Sequence, residues 1–241
     1  MSNYAIYEDG SEELDEKVID FISKLAQERI QESGNFIIGL SGGSLIKLLV
    51  RLKFPDASQM SKWHIFMVDE RAVPVTHPDS NCGTLKAAWM AAACCKWHMV
   101  PFTGESGGKE VKEAAMVYER DIKETFEGAG TDSFDLLLLG LGPDGHTASL
   151  FPSHPDFLNN LNSTNLVIPI SNSPKPPSLR ISLSPKAMQS AKSSVFIITE
   201  SAGKASVIKS ILIDRDAAYP PTIVAANAHW FLDKTSGRLL L

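Results

Sequence analysis

Apolar and polar positions along this chain follow two rhythms. Across residues 11–33, Leu14, Val18, Phe21, Ile22, Leu25 and Ile30 return near one face of a 3.6-residue period. Acidic residues occupy the first turns and Gly34 is the stop, which predicts a helix. Residues 36–40 break that rhythm with a continuous apolar run, the mark of a strand buried on both faces, and a turn over 41–44 leads into a helix over 45–52. The order repeats with a strand over 64–68 ending at Asp69, a long loop carrying Pro74, His77, Pro78 and Asp79, and an Ala-rich helix over 81–94. A short apolar piece over 99–102, a Gly-rich loop over 104–108, a helix over 109–127 and an apolar strand over 134–141 come next.

Further along, 166–170 and 179–183 read as strands flanking the loop SNSPKPPS, whose prolines predict an extended surface segment. A strand over 195–199, a helix over 203–212 opening with Lys204, and a last strand over 229–232 complete the pattern. Strands alternating with helices imply an α/β fold: a doubly wound, mostly parallel sheet with helices on both faces. No repeat, low-complexity segment or linker divides the chain. Residues 1–241 are expected to form a single domain, with a small subdomain around 150–185.

Composition narrows the function classes. With 44% hydrophobic and 21% charged residues, the 241-residue chain has the make-up of a globular protein. A net charge of −5 without a basic stripe argues against a nucleic-acid partner. No apolar stretch approaches the roughly 20 residues that span a bilayer, and the acidic N-terminal segment is unlike a signal peptide; no membrane association and a cytoplasmic location are expected. Cys82, Cys94 and Cys95 match neither zinc-site nor redox spacing and are expected to be buried or idle thiols. The histidines show no metal-ligand spacing, so no metal is expected.

Candidate chemistry concentrates where apolar strands empty into polar turns. The stretch FDLLLLGLGPDGHTASLFP over 134–152 delivers Asp144, Gly145 and His146 to the end of a buried strand, where open α/β sheets bind their ligands. Ser41, Gly42, Gly43 and Ser44 lie between a strand and a helix, an arrangement that offers backbone N–H groups and a helix N-terminus to a phosphate. They match neither the P-loop nor the dinucleotide fingerprint. Arg180 and Lys204, at the ends of predicted elements, are candidate cations for that phosphate. Asp69, Glu70 and Arg71 read either as a solvated loop start or as an acid and base facing substrate.

Taken in order, GLSGGS at 39–44, VDERAVP at 68–74 with Asn81 beyond, LGLGPDGHTASLFP at 139–152, SNSPKPPSLRISLS at 171–184 and GKA at 203–205 resemble the 6-phosphogluconolactonase family across nearly the whole chain. The family is similar in fold to glucosamine-6-phosphate deaminase and ribose-5-phosphate isomerase, and the resemblance implies a modified Rossmann-like sheet that binds sugar phosphates. It implies hydrolysis of 6-phospho-D-glucono-1,5-lactone to 6-phosphogluconate, the second step of the oxidative pentose phosphate pathway, without metal or cofactor. Carried over by position, His146 resembles the general base that activates water, and Asp144 the residue that orients its ring. Gly42, Gly43, Ser44, Arg71, Arg180 and Lys204 resemble the substrate and phosphate contacts. Asp69 occupies a position that the deaminases use for proton abstraction; in a lactonase it is expected to bond a hydroxyl or pair with Arg71.

Two departures matter. Where the deaminases carry a relay Glu five residues after the histidine, this chain has Phe151, which cannot shuttle a proton and disfavours deaminase or isomerase activity. Leu45-Ile46 replaces the Thr-Pro that many relatives carry after SGGS and leaves the anion loop intact. A non-catalytic sugar-phosphate sensor, the rival from another class, would need a helix-turn-helix and a basic face, and neither is present in the sequence.

Overall fold

A computed structural model describes residues 3–51, 57–103, 107–152 and 154–241. The last residue of the helix expected over 45–52, and residues 104–106 of the expected Gly-rich loop, lie outside the described residues. In chain order the elements are β1 (Asn3–Tyr7), α1 (Glu12–Ser33), β2 (Phe36–Leu40), α2 (Ser44–Arg51), β3 (Trp63–Met67), β4 (Asp69–Arg71), α3 (Asn81–Ala88), β5 (Lys96–Trp97), α4 (Gly107–Gly128), β6 (Leu136–Leu139), α5 (Pro155–Asn160), β7 (Val167–Ile170), β8 (Arg180–Leu183), α6 (Pro185–Ser190), β9 (Ser194–Ile198), α7 (Ala205–Lys209), α8 (Pro220–Val224), β10 (His229–Asp233) and α9 (Lys234–Gly237).

Local chemistry explains the boundaries of α1. The Ser11 hydroxyl accepts from the Glu13 N–H at 3.0 Å, Glu12, Glu13 and Asp15 face the positive end of the helix dipole, and Gly34 closes the helix at φ 79°. Four of its apolar positions, Leu14, Val18, Ile22 and Ile30, are buried.

The main sheet is parallel throughout, in the order β1-β10-β9-β6-β2-β3-β5. Strand alternation divides its side chains between two apolar clusters. Ile38, Leu40, Ile65, Met67, Leu136 and Leu138 pack with α1, α2 and α3, whereas Ile37, Phe66, Leu137 and Leu139 pack with α4 and α7. Helices therefore cover both faces, as expected of a doubly wound α/β fold, and the central strands are apolar at every position because neither face meets water.

A second sheet, β4-β8-β7, is antiparallel. Its strands β7 and β8 come from the 150–185 stretch, and Val167, Ile168, Ile170, Ile181 and Leu183 join the same apolar cluster as α4.

Several expectations are corrected. Just before the short apolar piece over 99–102, Lys96 and Trp97 form a strand that was not expected and pair with His64 and Ile65, while Val100 and Phe102 plug the core. The helix expected over 81–94 stops at Ala88, after which buried Trp89 leads into a tight turn over Met90–Ala92. The helix expected over 203–212 is a composite: a tight turn at Ala202–Lys204, then α7, then a widened turn at Ser210–Asp214. Cys82 and Cys95 are buried, with thiols pushed up to about 12 chiefly by burial, but Cys94 is exposed. Among the described residues no helix is long and apolar enough to cross a membrane.

Candidate active site

The order of the main sheet sets the position of the site. From β2 the chain winds one way through β3 to β5, then returns to place β6 on the other side of β2. Connections leaving β2 and β6 diverge, which opens a crevice at their carboxyl ends, the place where such sheets bind ligands. A cavity of about 210 Å³ occupies this crevice. It is lined by the turn after β2 (Ser41 to Ser44), by Asp69 and Arg71 of β4, by Gly140 to Gly142 and His146 after β6, and by Arg180 and Lys204. Of the residues singled out in the sequence, Asp144, Gly145 and Glu70 do not line it, and Asp144 touches His146.

The turn after β6 is shaped around the imidazole. Gly142 donates its N–H to the His146 carbonyl at 2.8 Å, and Gly145, at φ 82°, donates to the Gly142 carbonyl at 3.0 Å. This fold brings His146 Nδ1 to 2.5 Å from Asp144 Oδ1. Two acceptors that close would repel, so the proton sits on Nδ1 and Nε2 carries the free lone pair. The Phe151 ring stacks on the imidazole at 4.7 Å between centroids.

Burial pushes the imidazole below its ordinary 6.5; Asp144 and Asp69 oppose that shift, and the charge of Lys175 adds to it. Burial of Asp144 favours its neutral acid, but the hydrogen bonds and charges of His146 and Lys175 outweigh this and hold the carboxyl at about 2. An ionised carboxylate beside a neutral imidazole is the arrangement that accepts a proton at Nε2 and stabilises the resulting cation.

Across the cavity, Gly43 takes φ 68° and α2 begins at Ser44, so the turn presents backbone N–H groups and a helix N-terminus. Gly42 is forced by packing, because a Cβ there would lie 2.0 Å from the Asn81 Oδ1. Asn81 is itself tied to the Asp69 carbonyl at 3.0 Å. The Ser41 hydroxyl is buried and has no hydrogen-bond partner among the described residues.

The cations are placed differently from one another. Lys204 is half-buried at the cavity wall and forms no ion pair among the described residues; burial, then the nearby charge of Lys175, pushes its ammonium below the usual value. Arg71 donates from Nη1 to the Asp79 carbonyl at 2.8 Å, and its buried Nε has no partner among the described residues. Arg180 is buried and largely committed. Its Nε donates to the Pro177 carbonyl at 2.9 Å, and Nη2 donates to those of Lys175 and Pro176 at 2.9 and 3.1 Å. Asp69 accepts from the Ser149 hydroxyl at 2.7 Å and lies 4.0 Å from the Arg180 guanidinium, so of the two alternatives, a hydroxyl or Arg71, the pairing with Arg71 is replaced by one with Arg180. Glu70 also turns inward, accepting the N–H groups of Arg71, Asn81 and Cys82 at 2.8 Å and the Ser80 hydroxyl at 3.0 Å. That carboxylate organises the loop and the start of α3.

A family model described as glucosamine-6-phosphate isomerases/6-phosphogluconolactonase matches residues 9–232. The chain belongs to this family. It is 37% identical over 232 residues to a probable 6-phosphogluconolactonase of Drosophila melanogaster, covering 96% of this chain and 88% of that protein. It is 36% identical to the 6-phosphogluconolactonase of Homo sapiens, with 85% and 81% of the two chains covered. The crystal structure of 6-phosphogluconolactonase from Thermotoga maritima superposes with a TM-score of 0.77 at 26% identity, covering 97% of this chain and 100% of that one.

For a member of the glucosamine-6-phosphate isomerase/6-phosphogluconolactonase family, the least expected feature is Lys175. The SNSPKPPS loop lies on the surface as its prolines suggest, and the partly exposed Lys175 side chain folds back onto Asp144. Its Nζ reaches Asp144 Oδ1 at 3.1 Å and lies 3.2 Å from His146 Nδ1. The one signal in the sequence is a lysine set between prolines inside a stretch that resembles the family. Among the described residues, no group of three or more His, Cys, Asp or Glu could hold a metal ion.

Proposed function

We propose that this chain hydrolyses 6-phospho-D-glucono-1,5-lactone to 6-phosphogluconate in the pentose phosphate pathway, with His146 as the base that activates water. One observation carries the assignment of roles: His146, held by Asp144, and the glycine turn of Ser41 to Ser44 line a single cavity at the switch point of the sheet. The lactone ring lies against His146. Nε2 takes a proton from water as its oxygen adds to the C1 carbonyl, and the charge on the new oxyanion is met by donors of the cavity wall. Collapse of the tetrahedral intermediate breaks the bond between C1 and the ring oxygen, and the imidazolium returns the proton to that oxygen. Asp144 holds the ring's orientation and offsets its charge while the proton is on it.

The phosphate belongs with the amides of Gly42 and Gly43, the Ser44 end of α2, and the ammonium of Lys204, which has no ion pair among the described residues. Arg71 and Arg180 stand opposite each other in the β4–β8 pair, a juxtaposition of like charges that an anionic ligand relieves. Phe151 occupies the side of the imidazole where a relay carboxylate would serve a deaminase, and it has no proton to transfer.

The same reading treats the chain as one catalytic domain, supported by the apolar cluster that the second sheet shares with the first. It also places the reaction in the cytosol, where a pH near neutrality keeps a histidine base unprotonated. The test compares hydrolysis of the 6-phosphorylated lactone with that of the unphosphorylated lactone, after subtraction of spontaneous ring opening. A much higher kcat/KM for the phosphorylated substrate is expected; equal values defeat the assignment of the glycine turn and Lys204.

A further inference from the structure

Arg180 has few donors left for a ligand, and the way it spends the others shows what the loop before it is for. Three successive carbonyls, those of Lys175, Pro176 and Pro177, are drawn onto one buried guanidinium. Ser173 closes the same loop from within, accepting the Lys175 N–H at 3.3 Å and donating its hydroxyl to the Lys175 carbonyl at 2.9 Å. A backbone anchored at this many points directs one side chain. That side chain reaches the Asp144 carboxylate on the Nδ1 side of the pair, 3.1 Å from Oδ1 and 3.2 Å from Nδ1, and Lys175 is not among the residues lining the cavity.

We propose that Lys175 is a positioning residue for the base: delivered by the Arg180-clamped loop, its ammonium binds Asp144 beside the ring, so that Nδ1–H is kept toward Asp144 and Nε2 is left facing the substrate. This rests on His146 being the base. Nδ1 cannot both donate to Asp144 at 2.5 Å and accept from Lys175 at 3.2 Å, so the ammonium bonds the carboxylate and only repels the ring. Repulsion is greatest when the imidazole is charged. Lys175 thus adds to burial in opposing the stabilisation that an ionised Asp144 gives the imidazolium, and favours the neutral ring.

The other charged groups around the ring are Asp144 on its own turn and Asp69 of β4, which raise its proton affinity; Arg71, Arg180 and Lys204 share the cavity. The Phe151 ring stacked on the imidazole has its centroid 5.9 Å from both Lys175 Nζ and the Arg180 guanidinium carbon, so both cations neighbour the same aromatic ring. Lysine in this place therefore tunes one equilibrium rather than contacting the reacting atoms.

The measurement is the titration of His146 itself, followed by imidazole NMR in the full chain, for the native protein, Lys175→Met and Lys175→Arg. Removing the ammonium should raise the midpoint by roughly 0.5 to 1 pH unit, the effect of a unit charge about 4 Å away under nearly aqueous screening. Lys175→Arg should restore it. The acid limb of kcat/KM should move by the same amount as the NMR midpoint, a readout that a purely structural role would not shift. A midpoint that stays in place or falls in Lys175→Met overturns the role of Lys175, whatever happens to the rate. A midpoint that rises while the acid limb stays fixed overturns the assignment of His146 as the base, and the proposal with it.

Discussion

Gly142→Ala is the perturbation that the geometry of the site defines most sharply. A methyl group at this position would lie 2.0 Å from His146 Nδ1, 2.1 Å from Cε1 and 2.6 Å from Asp144 Oδ1. Ordinary contact begins near 3.4 Å, so the ring must retreat by about 1.4 Å, the difference between 3.4 and 2.0 Å, and cannot do so without opening its hydrogen bond to Asp144. Misplacing a reacting group by about 1 Å costs ~10²-fold, and losing a general base altogether costs about 10² to 10⁴. The expected loss in kcat/KM therefore lies between those limits. It should fall on kcat, because the wall formed by Gly42 to Ser44 and Lys204 is untouched. The strain of overpacking, about 1–3 kcal/mol, leaves the fold intact but lowers Tm by several degrees. Acid release from the lactone, read in a pH-stat with the spontaneous rate subtracted, gives the rate, and a thermal melt confirms folding. A folded Gly142→Ala protein retaining kcat/KM within about threefold of the native value would refute the placement of the base, since no catalytic imidazole tolerates that displacement.

Two further outcomes follow from other parts of the structure. Lys204→Ala should raise KM for the phosphorylated lactone by about tenfold or more with little change in kcat, because the lost contact is equal in ground and transition states; a selective fall in kcat would contradict this. At the opposite end of the sheet, burial and the charges of Lys96 and His98 push His64 down to about 4. The unfolded chain protonates this residue near 6.5 and the folded chain only near 4, so each proton favours unfolding and stability falls as pH drops from 6.5 to 4. His64→Gln should flatten the slope in that window, measured by urea unfolding at a series of pH values, and an unchanged slope would assign it to other groups.

The sequence revealed most where physics leaves a local trace. Strands β2, β3, β6 and β9 are legible as apolar runs because helices cover both faces of the sheet, and α1 because its cap, acidic first turn and closing glycine are contiguous. β4 is illegible: Asp69, Glu70 and Arg71 carry no apolar signal and become a strand only by pairing with Ser182, Ile181 and Arg180, more than a hundred residues away. β1 escapes for a related reason, as an edge strand extended only by its pairing with β10. The short helices α5, α6, α8 and α9, of four to six residues, span too few turns for a periodic pattern, though Pro155, Pro185 and Pro220 mark three of their starts.

The site divides along the same line. Residues that follow an apolar strand, among them Gly42, Gly43, Asp69 and His146, could be placed at its carboxyl end from sequence. Lys175 could not, because its reach to Asp144 depends on a loop held by a guanidinium five residues later that is buried only in the folded chain. For the same reason Arg180 reads in the sequence as a free cation and proves in the structure to be a clamp.

The most direct test of the account is turnover of the phosphorylated lactone by His146→Ala, corrected for spontaneous hydrolysis and compared with the native protein at neutral pH. The account predicts a loss of about 10²- to 10⁴-fold in kcat in a protein that still folds and still binds the phosphorylated product. Turnover close to native in that variant would contradict it.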